Sequence, residues 1–211
     1  MSGEIHNSNS LRWHGSQRRI GITGGIASGK SSVGKFLKEV KGFPILDADV
    51  YAQEALAPGS KSTRSVLKRY GTRVQDHLKT EKPTINRSAL SKIIFTNSQE
   101  RIWIESLIHP IVRQRLEKEL SKQKNEPVLV LIIPLLFEAK LSALCSEVWV
   151  VNCERTQQLQ RLMQRDRLTN KEAKLKIQAQ WPLNQKIQLA DVLINNTGGL
   201  KEWLPEVDKL C

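Results

Sequence analysis

Cysteine is scarce and poorly placed for structural work. The 211 residues hold three, Cys145, Cys153 and Cys211. They are odd in number, scattered and without metal-ligand spacing, which argues against a disulfide framework or zinc site and fits a reducing cytoplasm. Long apolar runs are missing too. The longest strong one, residues 128–133 (VLVLII), is strand-sized and far short of the roughly 20 residues that span a bilayer. The opening MSGEIHNSNSLRWHGSQRR lacks the apolar centre of a secretory signal and reads as a polar leader, expected to be disordered over residues 1–18. Aromatic residues make up 5%, and the five tryptophans are widely separated. No basic run is interleaved with aromatics of the kind that stacks bases, which weighs against a nucleic-acid-dependent ATPase. Acidic residues are outnumbered, 21 against 33 Lys+Arg, giving a net charge of +12. That excess implies anionic partners, and a highly phosphorylated small substrate satisfies it as well as nucleic acid does. Internal repeats and low-complexity tracts are absent.

What is present is an alternation of strands and helices. Residues 20–23 form a short strand, and apolar residues then recur at Val33, Phe36, Leu37 and Val40, the stripe of a helix that Gly42 is placed to end. Further strands are expected over residues 43–46, 128–133, 147–151 and 192–195. The all-apolar pattern of the third suits a parallel strand buried on both faces. The expected fold is α/β, an open parallel sheet of about five strands flanked by helices, of the P-loop NTPase type. Between Pro58 and Asn125 the strand signal disappears. Asn86 is placed to cap a helix through Ile94, and Ser98 to cap the next. Pro110 predicts a break or kink near His109, with a second helix continuing to about Gln123. Thr169 to Glu172 has the capping-box form, starting a helix towards Gln180.

One stretch carries specific chemistry. In residues 20–32, IGITGGIASGKSS, the segment Gly24-Gly25-Ile26-Ala27-Ser28-Gly29-Lys30-Ser31 matches G-x-x-x-x-G-K-[ST], with Ser32 following. Glycines let the chain wrap with its amide hydrogens inwards, so that they and the helix N-terminus solvate phosphate oxygens. Lys30 adds a positive charge for the β- and γ-phosphates, and the Ser31 hydroxyl is placed to ligate magnesium. With a strand before it and an amphipathic helix after it, this loop is read as a nucleoside triphosphate site. A GTPase switch is excluded by the absence of N-K-x-D: after the fourth strand stand Asn152, Cys153 and Glu154.

Two further groups bear on catalysis. Asp47-Ala48-Asp49 sits at the carboxyl end of the second strand, where open α/β sheets bind ligands. One of these carboxylates is suited to orient an acceptor hydroxyl and take its proton, and one to cap the following helix; the residues alone leave the division open. Arg161 and Arg165, four apart on one helical face, suit a closing lid that clamps transferring phosphates.

The segments ITGGIASGKS, ILDADVYAQEALAPGS, NRSALSKIIF, His109-Pro110, IPLLFE and RLMQRD, in this order, resemble the dephospho-coenzyme A kinase family from about Arg19 to the C-terminus. The loop is generic among kinases; the DAD, HP and PLLFE set separates this family from other P-loop nucleoside or nucleotide kinases. The resemblance implies ATP-dependent phosphorylation of the ribose 3′-hydroxyl of dephospho-coenzyme A, with Mg2+ and no protein partner or membrane required. It implies a kinase domain over residues 19–211, with a core at 19–57 and 126–211, a coenzyme-binding insertion at about 58–125 and a lid at about 155–185. It places Asp49 on the base, with Asp47, Arg87 and His109 on the acceptor side, and Arg161 and Arg165 on the lid. Gln180 and Asn196 match family letters without an assigned role. Two departures stand out. Ile132 occupies the place where many members carry an acid near the metal, leaving Ser31, ATP oxygens and water, with Asp49 or Glu138 in reserve. Asn86 replaces an acid before Arg87.

Overall fold

The computed structural model describes residues 12–76, 82–198 and 200–211. It divides into two compact units, one of Met1–Leu46, Lys124–Gln158 and Gln180–Cys211, the other of Asp47–Gln123 and Leu159–Ala179.

The first unit is built on five strands: β1 (Arg18–Gly24), β2 (Ile45–Asp47, whose last residue opens the second unit), β3 (Val128–Ile132), β4 (Glu147–Asn152) and β5 (Val192–Asn195). Their order is β2-β3-β1-β4-β5, with β1 parallel to both β3 and β4 and β4 parallel to β5. The connection after β1 runs to β2 on one side and the connection after β3 crosses β1 to β4 on the other, and the carboxyl ends of strands at such a reversal are where these sheets open a ligand crevice. Alternate residues on one face (Ile20 and Ile22, Val130 and Ile132, Trp149 and Val151) join Val33 and Leu37 of α1 (Lys30–Glu39) and Trp203 and Val207 of the C-terminal helix in one buried cluster. Each such side chain contributes about 1.5–3 kcal/mol by leaving water. This cluster fixes α1, and hence the loop before it, against the end of β1.

The polar leader needs correction. Residues 1–11 lie outside the described residues, but 12–17 are bonded to the core. Trp13 donates its backbone N–H to the Cys145 carbonyl at 3.0 Å, and the Gln17 side chain donates to the Glu126 carbonyl at 2.8 Å. Arg12 pairs with Asp191 at 2.8 Å, and the Arg19 guanidinium lies 3.4 Å from the centre of the Trp13 ring. The composition of this segment is polar, yet the polar groups find partners just before the amino ends of β3, β4 and β5.

The second unit is helical: α2 (Ala48–Ala55), α3 (Lys61–Tyr70), α4 (Arg87–Thr96), α5 (Ser98–Lys122) and α7 (Asn170–Gln178), with most of α6 (Arg155–Asp166). Val66, Tyr70, Val74, Ile85, Leu90 and Ile104 form its core. Asn86 caps α4 by accepting from the Ala89 N–H at 3.0 Å, and Thr169 and Glu172 form the expected capping box on α7.

Two sequence expectations fail here. Asn97, not Ser98, caps α5, accepting from the N–H groups of Gln99 and Glu100 at 2.9 and 3.3 Å. The break at Pro110 is absent: α5 runs unbroken for 25 residues. Buried Ile104 before the proline and Val112, Leu116 and Leu120 after it anchor both halves, so packing outweighs the lost backbone hydrogen bond. The final helices were not foreseen: α8 (Leu183–Gln188) is too short for a periodic signal, and α9 (Leu200–Leu210) contains Pro205.

Candidate active site

The loop between β1 and α1 is shaped by its glycines. Gly24 and Gly29 adopt positive φ of 144° and 106°, and Ala27 joins them at 58°. A Cβ at Gly24 would collide with the Val151 carbonyl oxygen, one at Gly25 with the Gln158 side-chain nitrogen, and one at Gly29 with that of Asn196. Only glycine permits so close an approach. Gly29 is the N-cap of α1 and provides no side-chain cap, and no acid stands in the first turn. Neither the cap nor the first turn therefore brings a negative charge to the N-terminus of α1, where the helix dipole favours an anion. Lys30 is 8% exposed and folds back over the loop, donating to the carbonyls of Gly25 at 2.8 Å and Gly24 at 3.3 Å. Ser31 and Ser32 are exposed at the start of the helix, while Ser28 is buried within the loop.

Side-chain amides brace this loop from outside. Gln158 donates to the Ile26 carbonyl at 2.9 Å, Gln180 accepts the Ile26 N–H at 2.8 Å, and Asn196 donates to the Ser28 carbonyl at 2.8 Å. Sequence reasoning gave Gln180 and Asn196 no role and did not single out Gln158. An isolated amide far along the chain carries no local signal of where it will bond.

The PLLFE segment supports the same end of β1. The Pro134 carbonyl accepts from Thr23 at 3.1 Å and from Lys186 at 2.9 Å. Lys186, with no exposed surface, pairs with Glu138 at 2.8 Å. Burial pushes the Lys186 ammonium below its ordinary pKa, and Glu138 opposes that shift. The same Glu138 oxygen, Oε1, also accepts the Trp181 N–H at 3.0 Å, while Oε2 is buried without a hydrogen-bond partner among the described residues. Ile132 is 6% exposed, and its δ-methyl fills the space left by Gly34 of α1. It serves as a packing residue. Among the described residues no group of three His, Cys, Asp or Glu side chains is able to hold a metal. The exposed Ser31 hydroxyl is the protein oxygen of this loop that would hold a hard cation such as magnesium, which would supply charge neutralisation for phosphates.

In the second unit, the two aspartates are separated by role. Asp47 caps α2 by accepting the Asp49 N–H at 2.9 Å, and Asp49 stands exposed in the first turn. Arg87 is exposed at the start of α4 and donates to the Gln53 carbonyl at 3.0 Å. His109 is half-buried midway along α5. On α6, Arg161 is half-buried, while Arg165 is exposed and pairs with Asp166 at 2.8 Å. Asp166 also binds Lys176 of α7 at 3.0 Å, and these cations hold its carboxyl below the usual range against the opposing cost of burial.

A five-stranded sheet with β1 at its centre and a glycine-bounded loop leading into α1 defines an α/β fold of the P-loop NTPase type. A sequence profile described as dephospho-CoA kinase matches residues 18–202. A dephospho-CoA kinase of Prochlorococcus marinus (strain MIT 9313) is 54% identical over 200 residues, covering 95% of this chain and 98% of its own. Among solved structures, a Thermus thermophilus protein aligns with a TM-score of 0.73 at 30% identity over 93% of this chain and 97% of its own. The dephospho-CoA kinase of Campylobacter jejuni aligns with 0.63 at 25% over 91% and 94%. The chain belongs to the dephospho-CoA kinase family, and it is accordingly a phosphotransferase.

Proposed function

We propose that this chain transfers the γ-phosphate of ATP to the ribose 3′-hydroxyl of dephospho-coenzyme A, giving coenzyme A and ADP, the last step of coenzyme A synthesis. The observation that carries this reading is the family match, which spans residues 18–202 and so includes the loop and the helical unit alike.

The loop from Gly24 to Ser32 holds the ATP phosphates through inward amides and the N-terminus of α1. Lys30 exchanges the carbonyls of Gly24 and Gly25 for phosphate oxygens and stabilises charge that grows on them during transfer. Ser31 offers its hydroxyl to magnesium, which when bound neutralises charge on the β- and γ-phosphates. Asp49, with Asp47 assigned to the cap, receives the proton of the acceptor hydroxyl as that oxygen attacks phosphorus. Arg161 and Arg165 serve as a lid over the transferring group, and Arg87 and His109 act on the acceptor side of the helical unit. The net charge of +12 suits two polyanionic substrates. No described helix is long and apolar enough to cross a membrane, and a cytoplasmic location matches the substrates. No protein partner or nucleic acid enters the reaction.

The reading is tested by incubating the protein with ATP, Mg2+ and dephospho-coenzyme A and separating the products by chromatography. Stoichiometric coenzyme A and ADP are expected, with the folded Lys30→Ala variant slower by on the order of 100-fold or more. A folded preparation that yields no coenzyme A overturns it.

A further inference from the structure

Ile26 is bonded through both of its backbone polar groups to side chains far away in sequence: its carbonyl accepts from Gln158 at 2.9 Å and its N–H donates to Gln180 at 2.8 Å. The amide orientations follow from chemistry, since a carbonyl only accepts and an N–H only donates. Gln158 is 3% exposed, and its remaining oxygen accepts from Arg155 at 3.3 Å. Gly25 leaves the room that its side chain occupies.

The positions of the two glutamines along the chain are the informative point. Gln158 is the last residue of the first unit before the chain passes into the segment Leu159–Ala179, and Gln180 is the first residue after it returns. That segment carries Arg161 and Arg165, and it is closed on itself by the Asp166–Lys176 pair. Both points of departure are thus fastened to one residue of the phosphate loop, through the two peptide groups that flank it. We infer that Gln158 and Gln180 are positioning residues, a two-point clamp on Ile26 that couples occupation of the phosphate loop to the ordering of the arginine-bearing segment. The inference rests on the kinase reading for the identity of the loop's ligand.

A clamp of this kind makes its two halves interdependent. Releasing either glutamine frees the same residue, so the second release adds little. Gln158→Met and Gln180→Met remove the hydrogen bonds while keeping side-chain length. Each is expected to lower kcat roughly tenfold, since small misplacements of reacting groups are costly, and the double variant to fall no more than about threefold below the worse single one. Melting temperatures near that of the parent separate positioning from loss of fold.

The direct test is site-resolved hydrogen–deuterium exchange on the full chain, with a non-hydrolysable ATP analogue and Mg2+ as the probe and no acceptor present. Gln180→Met is expected to speed exchange at the Ile26 amide about tenfold. In the parent protein the analogue is expected to slow exchange across residues 159–179, and in the double variant that slowing is expected to vanish. If the analogue binds and residues 159–179 respond equally in parent and double variant, or if folded single variants keep the parent kcat, the clamp is refuted. Should the buried Gln158→Met fail to fold, the half-buried Gln180→Met decides alone by the same two readouts. Exchange without an acceptor remains readable whatever the protein phosphorylates, so failure of the clamp and failure of the assigned reaction are told apart.

Discussion

Asp47 accepts the backbone N–H of Asp49 at 2.9 Å, so the first acid of the Asp-Ala-Asp tripeptide caps the helix whose first turn presents the second. The sequence leaves these two carboxylates interchangeable; their geometry does not.

Separate defects are therefore expected from the two aspartates. Asp47→Ala loses a cap and about 1 kcal/mol of stability, whereas Asp47→Asn keeps the acceptor oxygen and restores it. Asp49→Asn retains the fold and ATP affinity but lowers kcat by about 10²–10⁴-fold, as for loss of a base. Thermal melts, nucleotide titration and steady-state rates measure the three quantities. Near-parental kcat in Asp49→Asn would move the base elsewhere.

The buried Lys186–Glu138 pair gives a second expectation. Lys186→Met leaves Glu138 facing the Trp181 N–H with no cation, and stability falls by about 3–5 kcal/mol. Lys186→Met combined with Glu138→Gln recovers part of that loss, because no charge is then stranded. Denaturant unfolding of both singles and the double closes the cycle. Equal losses in the single and double variants would show that the ion pair is not what Lys186 supplies.

Acid stability depends on Glu100. Arg69 and the Tyr70 hydroxyl donate to its carboxylate, at 2.7 and 2.6 Å, and hold its pKa at about 2, down from 4.5. A carboxyl depressed on folding stabilises the native state above its unfolded pKa, and that contribution is lost as pH falls through the folded one. The melting-temperature advantage of the parent over Glu100→Gln is therefore expected to be full at pH 6 and to shrink between about 4.5 and 2. An advantage independent of pH would assign the effect to packing.

Pro110 sits inside an unbroken helix, so Pro110→Ala restores one N–H to the ladder and removes a ring clash. Stability is expected to rise, by up to about 3 kcal/mol. If the His-Pro pair serves the acceptor, kcat/KM for it falls in the same variant. A less stable Pro110→Ala protein would mean that surrounding packing requires the ring.

Much of this was legible because it is local. The phosphate loop is a contiguous pattern, and the all-apolar run at residues 128–133 suits a doubly buried strand, as β3 is. The Thr169–Glu172 capping box and the Asn86 cap likewise need only three or four residues. What escaped is what depends on partners distant in sequence. Gln158 and Gln180 acquire meaning from Ile26, more than 130 residues away. Lys186 reads as a surface cation until Glu138 and the Pro134 carbonyl are placed around it. Pro110 reads as a helix end because its local cost is visible while the packing of Ile104 and Leu116 that overrides it is not. The leader at residues 12–17 misled for the same reason: its partners, Glu126, Cys145 and Asp191, are more than 100 residues away.

The reaction assigned here is tested most directly by acceptor choice. With ATP and Mg2+ held constant, kcat/KM is to be measured for dephospho-coenzyme A, adenosine, AMP and shikimate, and each product identified by chromatography. Dephospho-coenzyme A is expected to exceed every other acceptor by at least about 100-fold, a margin that requires contacts beyond the nucleoside. A folded enzyme that phosphorylates adenosine, AMP or shikimate as well as or better than dephospho-coenzyme A would contradict the assignment.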